Sequence, residues 1–151
     1  MTHLKAGDIA PEINSVDQNG ENITLTQYKG KKLVLYFYPK DMTPGCTAQS
    51  CNLTENYDQL KEQGYEVLGV SCDSVKRHQK FIEKYNLSFS LVSDEEKKVV
   101  VDYGVWGLKK FMGREYMGIS RTTFVIDENG VIEDIITKVD TKNHTSQILT
   151  S

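Results

Sequence analysis

The chain has 151 residues, 26% of them charged, with 18 lysines and arginines against 21 aspartates and glutamates and a formal net charge of -3. That length suits one compact α/β domain, read here as residues 1–151, because no stretch has the composition of a linker. Mixed, mildly acidic charge argues against nucleic acid, which needs a clustered basic face; the local cluster Lys109-Lys110, with Arg114 nearby, reads as a solvated loop.

Met1-Thr2-His3-Leu4-Lys5 shows no apolar leader, and the longest apolar run, Leu33 to Tyr38, is too short to span a bilayer. The expectation is a soluble, cytoplasmic protein that makes no membrane contact. Its cysteines stand at 46, 51 and 72. An odd count in a reducing compartment is a poor disulfide framework, so a cysteine in an unusual setting reads as a redox or catalytic thiol.

In chain order, Glu12–Val16 and Asn22–Leu25 flank Asp17-Gln18-Asn19-Gly20, and Asn-Gly predicts a hairpin. Leu33–Tyr38 is a continuous apolar run, which predicts a strand covered on both faces. A helix is expected from about Cys46 to Gln63, with Leu53, Tyr57 and Leu60 on one face and Gly64 as its stop. Val67–Ser71 is the next buried strand. Ser74 is placed to cap a helix carrying Val75, His78, Phe81, Ile82 and Tyr85 on one face. Phe89–Val92 reads as a short strand, and Asp94 as the cap of a third helix that ends at Gly104. Thr122–Ile126 and Val131–Ile136 form a second hairpin around Asp127-Glu128-Asn129-Gly130. A short helix is expected from about Lys142 to Leu149, with residues 138–151 either poorly ordered or covering less of the sheet than usual. This order predicts a thioredoxin-like α/β fold with an extra N-terminal hairpin and an insertion before the last hairpin.

The chemistry concentrates in Pro39-Lys40-Asp41-Met42-Thr43-Pro44-Gly45-Cys46 and runs on to Cys51. In open α/β sheets, sites form beyond the carboxyl ends of strands. Cys46 falls in the first turn of the following helix, where free N–H groups and the positive end of the helix dipole favour a thiolate. Pro39 and Pro44 stiffen the loop. Thr43 brings a hydroxyl close enough to bond the sulfur or a bound oxygen.

Pro39-x-x-x-Thr43-x-x-Cys46 resembles the PxxxTxxC signature of peroxiredoxins, and Pro39 to Cys51 together resemble the bacterioferritin comigratory protein, or PrxQ, subfamily. The likeness continues at Gly7-Asp8-x-Ala10-Pro11, Tyr103–Gly107, Tyr116-Met117-Gly118 and Arg121-Thr122-Thr123-Phe124. The resemblance implies a peroxidase acting on hydrogen peroxide and organic hydroperoxides. It implies Cys46 as the peroxidatic and Cys51 as the resolving cysteine, with Pro39, Thr43 and Arg121 completing the active site. Gln49 falls where related enzymes carry a polar side chain that steadies it. The implied reductant is thioredoxin or a similar dithiol, the implied state a monomer, and no cofactor or metal is implied. Cys72 is assigned nothing and reads as a structural thiol. Met42, Phe89, Trp106, Phe111 and Tyr116 are candidates for an apolar wall.

Resolution then poses a geometric problem. Residues five apart on a helix are separated by about 7.5 Å of rise and about 140° of rotation. A disulfide wants Cα atoms within about 7 Å and facing Cβ vectors. Cys46 shares the inward stripe of Leu53 and Tyr57, whereas Cys51 points toward solvent, so the first helical turns must unwind before the two pair. A thioredoxin-type disulfide oxidoreductase is the nearest rival reading, but it needs C-x-x-C where this chain has C-x4-C. A metal or iron–sulfur module lacks a fourth thiolate, and His3, His78 and His144 are scattered, with His78 expected in the core. A peroxide-sensing binding protein is the third alternative.

Overall fold

In the computed structural model, which describes residues 2–149, the chain opens with the antiparallel hairpin β1 (Asn14–Val16) and β2 (Asn22–Thr24). A 3-10 turn, Leu25–Tyr28, leads into β3 (Lys32–Phe37). Next come α1 (Pro44–Glu55), α2 (Tyr57–Glu62), β4 (Tyr65–Ser71), α3 (Val75–Tyr85) and β5 (Ser90–Ser93). The second half holds α4 (Lys98–Asp102), β6 (Trp106–Phe111), β7 (Arg114–Ile119), β8 (Thr122–Ile126), β9 (Ile132–Ile136) and α5 (His144–Leu149).

Seven strands form one sheet in the order β2-β1-β5-β4-β3-β8-β9, and β6 pairs only with β7. β3 is central, parallel to β4 and antiparallel to β8. Because successive side chains alternate across a strand, β3 and the residue after it feed two cores. Leu33, Leu35 and Phe37 join Phe124, Tyr103 and Val100 on one face; Val34, Tyr36 and Tyr38 join Cys46, Leu53, Leu60 and Phe81 on the other. This is the expected thioredoxin-like arrangement with its N-terminal hairpin. Among the described residues no helix is long and apolar enough to cross a membrane.

Several local expectations are corrected. The helix expected from Cys46 to Gln63 begins two residues earlier, with Pro44 in its first turn, and is broken at Asn56. There the Asn56 side chain bonds the Asn52 carbonyl at 2.8 Å while the backbone leaves helical geometry (φ -106°, ψ 12°), the competition with helix bonding that favours asparagine at breaks. Asp94 is not adjacent to the third helix. Lys97, at φ 65°, resets the chain, and Asp94 caps from a distance by accepting the Val100 N–H at 2.9 Å. Lys109 and Lys110 lie on β6 rather than in a loop. The β6–β7 turn places both Met112 (φ 52°) and Gly113 (φ 79°) at positive φ, the requirement of a tight hairpin.

The C-terminal segment also covers more than expected. α5 buries Ile148 completely and docks on α1, where Asn52 donates to the Lys142 carbonyl (2.9 Å) and accepts from the Thr145 N–H (2.9 Å). Residues 150 and 151 of the expected tail lie outside the described residues.

Phe124 is fully buried and packs edge-on against both Phe37 and Tyr103. Phe124→Ala is expected to lower the unfolding free energy by about 3–5 kcal/mol, measured as a fall in the urea midpoint at unchanged m-value.

Candidate active site

The site begins where β3 ends. Tyr38 still donates its N–H to the Val70 carbonyl (3.1 Å), then Pro39 turns the chain out of the sheet and α1 starts at Pro44. Cys46 sits in the first helical turn, closed by the Thr47 N–H bonding the Thr43 carbonyl at 2.8 Å. Thr43 makes no side-chain cap. Its hydroxyl instead donates back to the Lys40 carbonyl at 2.9 Å, so its proton is committed within the loop and its oxygen remains an acceptor. In this state it does not bond the sulfur.

Arg121 arrives from the neighbouring strand. Thr122 pairs with Phe37 at the carboxyl end of β3, so the residue before it stands beside the loop. The Arg121 guanidinium donates through Nη2 to Cys46 Sγ at 3.3 Å and through Nη1 to Gln49 Oε1 at 2.7 Å. Arginine stays charged and presents a planar fork, so one side chain meets the sulfur and the amide together. Gly45 admits it: a Cβ there would stand 3.2 Å from Nη2. Facing a donor, Gln49 must turn its oxygen inward, which leaves its buried Nε2 without a partner among the described residues. Beneath, the hydroxyls of Tyr36 and Ser50 bond at 2.8 Å and tie β3 to α1.

All three cysteines are free thiols. Cys46 is fully buried. Cys51 is half-buried, and burial, then the nearby Glu55 carboxylate, raises its pKa. Burial pushes the Cys72 thiol up to about 11, with Asp94 adding to the effect and Lys97 opposing it. Neither is a ready nucleophile at neutral pH. Of the three, Cys46 is the one whose sulfur accepts a hydrogen bond from a cation among the described residues.

Lys109, expected in a solvated loop, is half-buried beside this site. Its Nζ donates to the Ile119 carbonyl at 2.8 Å, and its pKa is lowered first by burial and then by Arg121. Only the unexpected hairpin brings it there. With Pro39, Lys40, Trp106 and Tyr116 it borders a groove of about 340 Å³ that also reaches Cys72. The expected apolar wall is thus only partly assembled. Phe89 packs between Tyr36 and Tyr57 in the core, and Phe111 is exposed at the hairpin end.

His78 is buried as expected, but beside Asp41 and Asp73, whose ligand-type atoms lie within 4.8 Å of one another. His78 Nδ1 stands 2.6 Å from Asp41 Oδ2, a hydrogen-bond distance, and Asp73 is engaged by Ser71, Arg77 and the Asp41 N–H. The three form a saturated hydrogen-bond network rather than a chelate.

A helix-opening cysteine at the carboxyl end of a central strand, on this sheet order, defines a redox protein of thioredoxin-like fold. Residues 6–135 match the AhpC/TSA family, and the chain belongs to it. It is similar to peroxiredoxin Bcp of Escherichia coli, with 48% identity over 99% of this chain and 96% of the relative. Among solved structures, a cysteine-to-serine variant of Xylella fastidiosa PrxQ matches with a TM-score of 0.88 at 32% identity, over 99% of this chain and 96% of that one. The Xanthomonas campestris bacterioferritin comigratory protein, studied for its alkyl peroxide reduction activity, matches with a TM-score of 0.85 at 31% identity, over 99% and 96% of the two chains. The protein is accordingly a peroxiredoxin, a thiol-dependent peroxidase.

Removing the Arg121 cation is expected to slow alkylation of Cys46. Arg121→Gln should reduce the iodoacetamide rate at pH 7 by about tenfold, the loss of one charge-assisted hydrogen bond, followed by peptide mass mapping. In the same maps Cys72 labelling should be slow at pH 7 and should climb steadily with pH, levelling off only near 11. Equal Cys46 rates in the two proteins would break the link between guanidinium and sulfur.

Proposed function

We propose that Cys46 is the peroxidatic cysteine and that Arg121, Thr43 and Pro39 prepare its reaction. The observation that carries this reading is the pair of bonds from one guanidinium to Cys46 Sγ (3.3 Å) and Gln49 Oε1 (2.7 Å). The Cys46 thiolate attacks one oxygen of the hydroperoxide. The O–O bond breaks, the sulfur becomes a sulfenic acid, and the other oxygen leaves as water or an alcohol once it has taken a proton. Arg121 stabilises the thiolate and then the charge on the departing oxygen. Thr43, its own proton held by the Lys40 carbonyl, accepts the O–H of the incoming peroxide. Pro39 lends no N–H to the loop and keeps it stiff. Gln49 holds the guanidinium in plane.

Cys51 is the resolving cysteine in this reading. Its thiol attacks the Cys46 sulfenic acid, a Cys46–Cys51 disulfide forms, and water leaves. The two cannot meet across an intact helix, so the first turns of α1 unwind. Two features support such an opening. Leaving Gln49 Nε2 buried without a partner costs about 1–3 kcal/mol, which unwinding returns by exposing it to water. Unwinding also frees Cys51 from the burial that raises its pKa. A dithiol reductant such as thioredoxin then exchanges with the exposed disulfide and is itself oxidised. The alkyl peroxide activity of the Xanthomonas relative supports organic hydroperoxides beside hydrogen peroxide as substrates.

Cys46→Ser should abolish peroxide consumption with a thioredoxin system, whereas Cys51→Ser should still form one equivalent of sulfenic acid and fail to turn over. Mass mapping after one equivalent of peroxide should find Cys46–Cys51; a Cys46–Cys72 or intermolecular product would overturn the resolution scheme.

Because Asn52 ties α1 to α5, its loss should ease opening. Asn52→Ala is expected to speed formation of the Cys46–Cys51 disulfide several-fold while lowering stability by about 1–2 kcal/mol. Stopped-flow fluorescence and urea unfolding read the two effects.

A further inference from the structure

The loop between β3 and α1 carries Pro39 and Thr43, yet its most heavily engaged residue is Asp41, which lies between them and is 1% exposed. All four of its polar groups are in use. Its N–H donates to Asp73 Oδ2 (2.7 Å), and its carbonyl accepts from Arg77 Nη2 (3.1 Å). Oδ1 accepts from the Tyr38 hydroxyl (2.6 Å), and Oδ2 faces His78 Nδ1 (2.6 Å). Tyr38 serves as a donor because burial, above all, raises its pKa well above the usual value. The other nitrogen of His78 faces the Val92 carbonyl at 2.9 Å, an acceptor only, so Nε2 carries a proton. Immediately after Asp41, Met42 takes φ 64°, a conformation that non-glycine residues hold only when their surroundings over-determine it.

We propose that Asp41 is a positioning residue for the peroxidase reaction: through His78 and Tyr38 it nails the Pro39–Thr43 loop to β3 and α3, so that the loop presents the peroxide to Cys46. Asp41 touches neither the sulfur nor the substrate. It fixes the loop at both backbone groups and sets the turn at Met42 that delivers Thr43. The guanidinium that supports the thiolate is held separately, by Gln49 and the β8 register. Reactivity of the sulfur and presentation of the peroxide are therefore distinct properties. Loss of Asp41 impairs the second and leaves the first.

This inference rests on the reading of Cys46 as nucleophile, and the experiment separates the two. Single-turnover oxidation of Cys46 by hydrogen peroxide is compared with its alkylation by iodoacetamide, which needs the thiolate but no oriented O–O bond. Asp41→Asn should slow oxidation by about 10- to 100-fold, the scale of a misplaced reactant, with the alkylation rate unchanged. Tyr38→Phe, which removes one donor at nearly constant volume, should show the same split with a smaller loss. Undiminished oxidation in folded Asp41→Asn, or a parallel change in alkylation such as general loosening produces, overturns the proposal. If Asp41→Asn does not fold, Tyr38→Phe decides by the same criteria. Peroxide consumption surviving in Cys46→Ser would instead refute the assignment of the nucleophile itself.

Discussion

A sulfur withdrawn from water can carry charge only with a cation at hand, and here that cation comes from a residue 75 positions away in the chain. The Arg121 guanidinium reaches Cys46 because β8 runs antiparallel to β3 in the register that sets Thr122 opposite Phe37. A one-residue slip of that pairing would turn every side chain of β8 to the wrong face and carry Arg121 away from the loop. The apolar packing of Phe37, Tyr103 and Phe124 therefore does more than stabilise the sheet. It fixes the distance on which the sulfur's chemistry depends. Gly45 completes the constraint by leaving room for the guanidinium.

The helix that presents Cys46 also buries it. α1 is held beneath by the Tyr36–Ser50 bond and at its flank by Asn52, which bonds the backbone of Lys142 and Thr145. Against these stands the orphaned Gln49 amide, a destabilising group built into the closed form by the demand that its oxygen face Arg121. Under the proposed resolution scheme, closed and open arrangements of α1 are thereby brought nearer in free energy than packing alone would leave them. In the proposed cycle the closed form reacts with peroxide and the open form with Cys51. The Asp41 network stands outside that exchange, on the α3 side of the loop.

Much of the architecture was legible locally. The hairpin turns at Asn19-Gly20 and Asn129-Gly130, the continuous run from Leu33 to Tyr38 and the Ser74 cap are short-range signals, and all four appear in the structure. The β6–β7 hairpin was not, because Lys109, Lys110 and the exposed Leu108 and Phe111 give no clean alternation and the strands pair only with each other. The break at Asn56 was hidden because its apolar neighbours keep helical spacing across it. The docking of α5 was hidden because a six-residue helix carries too little pattern to show which surface it covers.

By itself the sequence determined that a cysteine opens the helix after the central strand, that a proline and a threonine precede it at the spacing typical of peroxiredoxins, and that Arg121 stands just before a later strand. Those are properties of neighbouring residues, set by turn chemistry and helix geometry. Only the tertiary structure decided that Arg121 touches Cys46 and Gln49 at once, that Lys109 lies beside them, and that the loop residue Asp41 is locked to a histidine on α3. Each of these contacts joins residues ten to seventy-five positions apart. No local periodicity records such pairings, because they exist only once the sheet has closed around its two cores.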